Sequence, residues 1–454
     1  MSDPNKERFV GGPARMRDRV RPGAMLSRRL AKPLVATMLV AAVGLIPVGG
    51  ANGAAMSAGH ASAPKGGRHA HHRVIHAPGS DSAVQITAHD GKFWQGSTPL
   101  IMHGIMHSVS TPAIVERDLD TISGWGMNVV RLTFSWCHVE TAEPVQHGSS
   151  WTHTWSSSYI SSIQQDVAEA QAHGMWAVVA LYPCDGDDSY FFGPSWLYTA
   201  PYNSKGKTYA ETPEGRSESN QDFWTDNLRQ QFVEDMWTWV AGQLASTPGI
   251  LGYEVLNEPD VGDMAYTVDT AQTTLAVQLN IAQSIRDADP PRVIFFTTFA
   301  GYGPAVALAD FGDWKTFGNV AFDVHDYFGA RWGTGLSGNP DNDSTGVAME
   351  TLFDIANDGS YPYIGTTLNQ VRYLQLERDS LKPWGIPIIV GEIGNFDGDI
   401  GSYDFFGTTT AAANDVAVSW CSDWGSNHGI ADGQGSLEDF AWVVQQAAGD
   451  YPPA

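Results

Sequence analysis

Ile250-Leu-Gly-Tyr-Glu-Val-Leu-Asn-Glu-Pro-Asp260 is an apolar run of strand length that stops abruptly at Asn257-Glu258-Pro259. A carboxylate at the end of a buried strand is costly if left charged and unpaired, so its position calls for a partner or a use. One such Glu is explained equally well as a solvated strand end. A second stretch tips the balance: Ile386-Pro-Ile-Ile-Val-Gly-Glu392 is another short β-branched run ending in Glu. Two carboxylates at the ends of two buried strands suit cleavage of a glycosidic bond, one to protonate the leaving oxygen and one to attack or to activate water.

Working outward from these two strands, the chain alternates strand and helix from about Val84. A hairpin over Val84 to Leu100, with turns at Asp90-Gly91 and Gln95-Gly96, comes first. Strands are expected at Leu100 to Met106, Asn128 to Phe134, Trp176 to Tyr182, Leu251, Val293 to Thr297, Val320 to His325, Pro387 to Glu392 and Val416 to Trp420. Helices are expected at Ala113 to Trp125, Tyr159 to His173, Asp222 to Leu244, Tyr266 to Asp287, Leu368 to Leu381 and Leu437 to Ala448. Eight such units imply a parallel sheet closed as a (β/α)8 TIM barrel, with an N-terminal β-hairpin and long loops after strands three and six. The active site of such a barrel lies at the carboxy-terminal ends of its strands. Glu258 ends strand four and Glu392 ends strand seven.

Charge divides the chain. Through Ser80 it holds 12 of the 26 basic residues but only 3 of the 50 acidic ones, so the remainder carries a formal charge of −33. That field repels nucleic acid and anionic polymers, which leaves a neutral partner or a simple solubility role. Residues 1–56 read as an export signal with a preceding extension: basic residues through Lys32, an apolar stretch from Pro33 to Val48, then small residues. Arg28-Arg29 fits either the twin-arginine or the general secretory route, and Met25 would begin a signal of more usual length. The apolar stretch is too short and too rich in Gly and Pro for a stable membrane span. Residues 57–80, rich in Gly, Ala and His, read as a disordered linker, and 81–454 as the catalytic domain. Of three cysteines, Cys137 and Cys184 each follow a strand, and the two strands would be neighbours; that pair is expected to form a disulfide. A secreted, extracellular monomer follows from these features.

These residues resemble the family 5 glycoside hydrolases, retaining enzymes that include cellulases and mannanases, over roughly Val84 to Ala448. The resemblance implies that Glu258 of Asn-Glu-Pro is the acid/base, that Asn257 binds the sugar 2-hydroxyl and that Glu392 is the nucleophile. It implies that Arg131 on strand two keeps Glu392 ionised, and that His325-Asp-Tyr327 is the family's His-x-Tyr. Trp420, with Trp424 in reserve, would be the sugar platform. Tyr182 stands where the family usually has His at the end of strand three, and Gly104-Ile-Met106-His107 replaces its usual Gly-x-Asn.

The implied reaction is double displacement, with the two carboxyl groups ~5 Å apart. It needs neither metal nor cofactor. Acidic clusters at Asp185-Gly-Asp-Asp188 and Asp341-Asn-Asp343 lack a calcium-loop pattern and read as solvated charge. Among the many rings of the insertion after strand three, Trp196 is the candidate for stacking on sugar. Three readings stand: an endo-β-1,4-glucanase on a neutral β-linked polysaccharide or oligosaccharide; the same chemistry on mannan, β-1,3- or β-1,6-glucan or a glycolipid; or a non-catalytic sugar-binding barrel.

Overall fold

The computed structural model describes residues 85–109, 119–120, 123–124, 127–184, 193–262, 264, 267–298, 309–328, 367–395, 413 and 419–423. For 213, 326–328, 367–373, 394–395, 420, 422 and 423 it describes the backbone alone. The export signal, the linker, the helix expected at Leu437 to Ala448, Trp424 and both acidic clusters lie outside these residues.

Eight parallel strands close a barrel: β4 (His103–Ser108), β5 (Val129–Ser135), β8 (Trp176–Tyr182), β9 (Ile250–Glu254), β10 (Val293–Phe296), β11 (Val320–Phe328), β12 (Ile388–Asn395) and β13 (Ser419–Asp423). They are neighbours in chain order, and β13 returns to pair with β4. Strands covered on both faces read as near-continuous apolar runs, and six of the seven residues of β5 and of β8 are buried. The fold is the expected (β/α)8 barrel, with boundaries within about three residues of those read from the sequence.

The outer helices bury one stripe each. In α1 (Ser157–Ala172) the stripe is Ile160, Ile163, Val167 and Ala170, and Ser156 caps the helix by accepting from the Tyr159 amide. Two further long helices, α3 (Asn227–Leu244) and α4 (Val268–Ala288), begin at Asp226 and Thr267, whose side chains accept from the first turns. The shorter α5 (Gly312–Phe317) and α6 (Thr367–Ser380) precede β11 and β12. At the other end of the barrel the sheet β1 (Ile86–His89), β2 (Lys92–Gln95) and β3 (Thr98–Leu100) closes the amino-terminal mouth. Its Phe93 stacks on Phe295 inside the barrel, in a cluster with Met102, Trp176, Leu251 and Cys421. Access to the barrel axis is therefore from the carboxy-terminal end.

Three features differ from the sequence reading. The helix expected from Asp222 is two helices, α2 (Pro213–Phe223) and α3, because Asp226 turns its carboxylate to the amides of Leu228 and Arg229 and starts a new helix there. A hairpin of β6 (Glu140–His147) and β7 (Ser150–Trp155) was not foreseen; it turns at Gly148, whose φ is 66°. Cys137, just before that hairpin, is bonded to Cys184 after β8 as expected, and Cys421 is free and buried. The third is Trp196. Expected as a sugar platform, it is 7 % exposed and packs edge-on against Trp136, Tyr202 and Phe232, so it is a core residue of the insertion.

Strand spacing leaves no room for a side chain at Gly104, where a Cβ would fall 2.0 Å from the Val129 carbonyl oxygen of the neighbouring strand. Gly104→Ala should lower the unfolding free energy by about 1–3 kcal/mol. A urea-unfolding midpoint equal to that of the wild type would refute this.

Candidate active site

Arg131 lies in mid-β5, level with Met106 of β4 and Val178 of β8, and its guanidinium is buried inside the barrel. Every edge of the fork is used. Nε and Nη2 donate to the two oxygens of Glu254, at 2.6 and 2.7 Å; Nη2 also donates to Asn257 Oδ1 at 2.7 Å; Nη1 donates to Glu392 Oε1 at 2.6 Å and to Met106 Sδ at 2.9 Å. Burial works against the guanidinium charge, but Glu254 and Glu392 outweigh it and hold the pKa well above its ordinary value. For Glu254, burial pushes the carboxyl up to about 7 against the pull of Arg131.

His325 stands on the far side of the carboxylates. Its Nδ1 is 2.7 Å from Glu258 Oε1 and 3.4 Å from Glu392 Oε2. Burial opposes protonation of this ring, but Glu392, Asp323 and Glu258 override it and raise the pKa to about 10. A carboxylate oxygen of Glu258, one of Glu392 and a ring nitrogen of His325 all lie within 4.8 Å of one another. Asp323 supports both cations from below, at 3.9 Å from Arg131 Nε and from His325 Nε2, and accepts from the Gly391 amide at 2.7 Å. Its carboxylate fills the space a side chain at Gly391 would need, 2.1 Å from a Cβ there. Glycine before Glu392 thus lets an anion sit beneath it.

Arg131, Asn257, Glu258, His325 and Glu392 come together as the sequence led one to expect. Tyr182 ends β8, half-buried and level with Ser135 of β5. The backbone of Tyr327 pairs with Gly394, and that of Trp420 with Val390 and His103; their side chains lie outside the described residues. Sequence reasoning missed Glu254, Asp323 and Met106. Glu254 is charged within the five-residue buried strand β9, and Asp323 lies among buried residues of β11, which is the signal that could have found them.

Two trios, Glu254 with Asp323 and His325, and Glu258 with His325 and Glu392, have the spacing of metal ligands. A ligating imidazole is neutral, whereas the surrounding carboxylates favour protonation of His325. The chemistry this set fits is proton transfer and attack by a carboxylate pair. A barrel with such a pair at its open mouth is the framework of a glycosyl hydrolase.

Comparison with known proteins agrees. The profile described as Cellulase (glycosyl hydrolase family 5) matches residues 95–426. The chain belongs to glycosyl hydrolase family 5. No curated protein matches it. Among solved structures it is similar to an endogalactoceramidase (17 % identity, TM-score 0.56, covering 80 % of this chain and 84 % of that one). It is also similar to endo-glycoceramidase II from Rhodococcus sp., both with a five-membered iminocyclitol (16 %, TM-score 0.54, 79 % and 80 %) and with ganglioside GM3 (17 %, TM-score 0.53, 80 % and 81 %). At these identities the likeness is one of fold. No described helix is long and apolar enough to cross a membrane.

Two predictions follow from the buried charges. Arg131→Met leaves Glu254 and Glu392 facing each other without their cation, and should cost about 3–5 kcal/mol of stability and abolish activity. Arg131→Lys keeps the charge but not the fork, and should lose on the order of 10²-fold in kcat; wild-type activity in that variant would refute the shared-fork arrangement. For His325 the folded-state pKa lies above the ordinary 6.5, so its stabilisation is complete below 6.5 and is lost as pH rises through about 10. The stability gap between wild type and His325→Gln, read by urea unfolding, should be widest near ~pH 6 and close by ~pH 10. A gap independent of pH would overturn the assignment.

Proposed function

We propose that the protein is a secreted retaining hydrolase of a neutral β-linked polysaccharide, an endo-β-1,4-glucanase of the cellulase type. The observation that carries the reaction type is the approach of Glu258 and Glu392 to within 4.8 Å, since retaining enzymes hold their carboxyl groups ~5 Å apart and inverting ones leave room for a water between them. Export is supported by the apolar amino-terminal stretch and by the Cys137–Cys184 bond, which persists in oxidising surroundings. The neutral substrate is supported by the acidity of the chain beyond Ser80.

In the first step Glu392 attacks the anomeric carbon, the bond to the leaving oxygen breaks, and Glu258 passes its proton to that oxygen. Arg131 holds Glu392 Oε1, which leaves Oε2 for the attack. Glu258 becomes an anion as the proton departs, and His325 Nδ1, at 2.7 Å, stabilises it as it forms. In the second step Glu258 takes a proton from water, the water oxygen bonds to the anomeric carbon, and the ester to Glu392 breaks. Asn257, oriented by Arg131, is placed to bind the sugar 2-hydroxyl. Tyr327 and Trp420 complete the proposed sugar contacts.

The test is sugar release from a panel of cellulose, mixed-linkage, β-1,3- and β-1,6-glucans, mannan and a ceramide-linked glycan. Wild type should release sugar from β-1,4-glucan. Glu258→Ala should lose about 10²–10⁴-fold, and Glu392→Ala more. On a 2,4-dinitrophenyl β-glycoside, whose leaving group needs no proton, azide should then restore turnover in both, giving a β-glycosyl azide with Glu258→Ala and an α-glycosyl azide with Glu392→Ala. Activity that survives both substitutions would place the chemistry elsewhere, and release from mannan or the glycolipid alone would replace the cellulase reading.

A further inference from the structure

Glu258 has a φ of 36°, in the left-handed region that a non-glycine residue occupies at a cost of ~1–3 kcal/mol. It does so directly before Pro259, although a following proline favours extended backbone. Such a conformation persists where the flanking chain is held from both sides. On the amino-terminal side, the Asn257 amide donates to the Leu181 carbonyl at 3.0 Å, and its side chain is held by Arg131.

On the carboxy-terminal side the holder is α2, which lies in the insertion after β8. Asn220 Nδ2 donates to Asp260 Oδ2 at 2.6 Å, and Nε1 of Trp224, which ends the helix, donates to the Asp260 carbonyl at 2.9 Å. Asp260 Oδ1 accepts from the Gly262 amide at 2.9 Å, which folds the loop onto itself. Helix and loop touch so closely that a Cβ at Gly262 would fall 2.1 Å from the Ser217 carbonyl oxygen. Asn220 and Trp224 are each 3 % exposed, so water competes little for these bonds. The insertion is fastened elsewhere too: Trp196 packs on Trp136, and Tyr202 donates to Glu143 of β6 at 2.8 Å.

We propose that α2 is a positioning element for the acid/base: Asn220 and Trp224 act through Asp260 to fix the backbone at Glu258 and aim its carboxyl at the glycosidic oxygen. This rests on the reading of Glu258 as the acid/base. Neither residue touches the substrate; what they control is delivery of one proton. A sugar alkoxide leaves only if it is protonated, whereas 2,4-dinitrophenolate is a weak base and leaves unaided. Loosening the clamp should therefore slow cleavage of ordinary glycosides and spare activated ones.

The experiment compares kcat/KM, which reports the first bond cleavage, on a 2,4-dinitrophenyl β-glycoside and on an unactivated oligosaccharide of the sugar the panel releases, cellobiosyl on the cellulase reading. The proteins are wild type, Asn220→Ala, Trp224→Phe and Glu258→Gln. Asn220→Ala should lose about 10- to 100-fold on the oligosaccharide, as expected for an offset of ~1 Å, and less than about threefold on the dinitrophenyl glycoside. Trp224→Phe removes the N–H donor together with part of the indole's buried volume and should shift the ratio in the same direction. The ratio is measured within one preparation, so a partly unfolded variant does not alter it. Equal losses on both substrates in the two clamp variants, with Glu258→Gln still discriminating, would overturn the clamp alone. Equal losses in Glu258→Gln as well would overturn the reading of Glu258 on which it rests.

Discussion

The guanidinium of Arg131 is the charge around which this barrel closes. Removing it from water is affordable only because Glu254, Glu392, Asn257 and Met106 take its donors, and those partners come from β9, from the segment just beyond it, from β12 and from β4. The fork therefore ties β5 to strands on both sides of the barrel axis, and the same bonds that stabilise the closed sheet orient the proposed nucleophile. A lysine could supply the charge but not five donors in a fixed plane. Fold closure and site geometry depend on one side chain.

A second consequence is electrostatic. Glu254, Asp323, Glu258 and Glu392 surround two cations, Arg131 and His325, so the site holds more carboxyl groups than positive partners. Burial raises the pKa of Glu254, while at His325 the carboxylates override burial and raise it, and the contacts make proton positions in the cluster depend on one another. Asp323 lies at equal distances from both cations and also takes the Gly391 amide, so it links the position of the β12 backbone to the charge on both sides of it. Proton transfer at Glu258 is thus felt across the whole cluster.

Much of this was legible in the sequence where burial is nearly complete. Strands such as β5 and β8 leave few alternatives, and Glu258 and Glu392 stood out because a carboxylate ending an apolar run needs a reason. The residues beneath them were missed for the opposite cause: Glu254 and Asp323 sit within their runs, where the sequence shows a charge but not its partner. The β6–β7 hairpin carries an alternation, Trp151, His153 and Trp155, that suits a strand, yet nothing local says that the chain leaves the barrel there. Trp196 was misread because aromatic side chains serve equally as sugar platforms and as packing, and only the approach of Trp136 and Phe232 decides which. The division of α2 from α3 turned on whether the Asp226 carboxylate would prefer backbone amides to solvent, a choice the hydrophobic pattern does not record.

The strained backbone at Glu258 follows from the same separation between what a sequence specifies locally and what the assembled barrel imposes. Locally, a residue before proline favours extended backbone. In the folded chain Asn257 is fixed by β8 and Arg131, and Asp260 by α2, so the one residue between Asn257 and Pro259 must absorb the mismatch. Its side chain is thereby aimed by constraints at both ends rather than by its own rotamer preference. An unstrained Glu258 would be cheaper by ~1–3 kcal/mol, and it would let the carboxyl swing away from His325. The insertion after β8 thus acts on the barrel's chemistry from outside the barrel, through backbone it never shares with the catalytic strand.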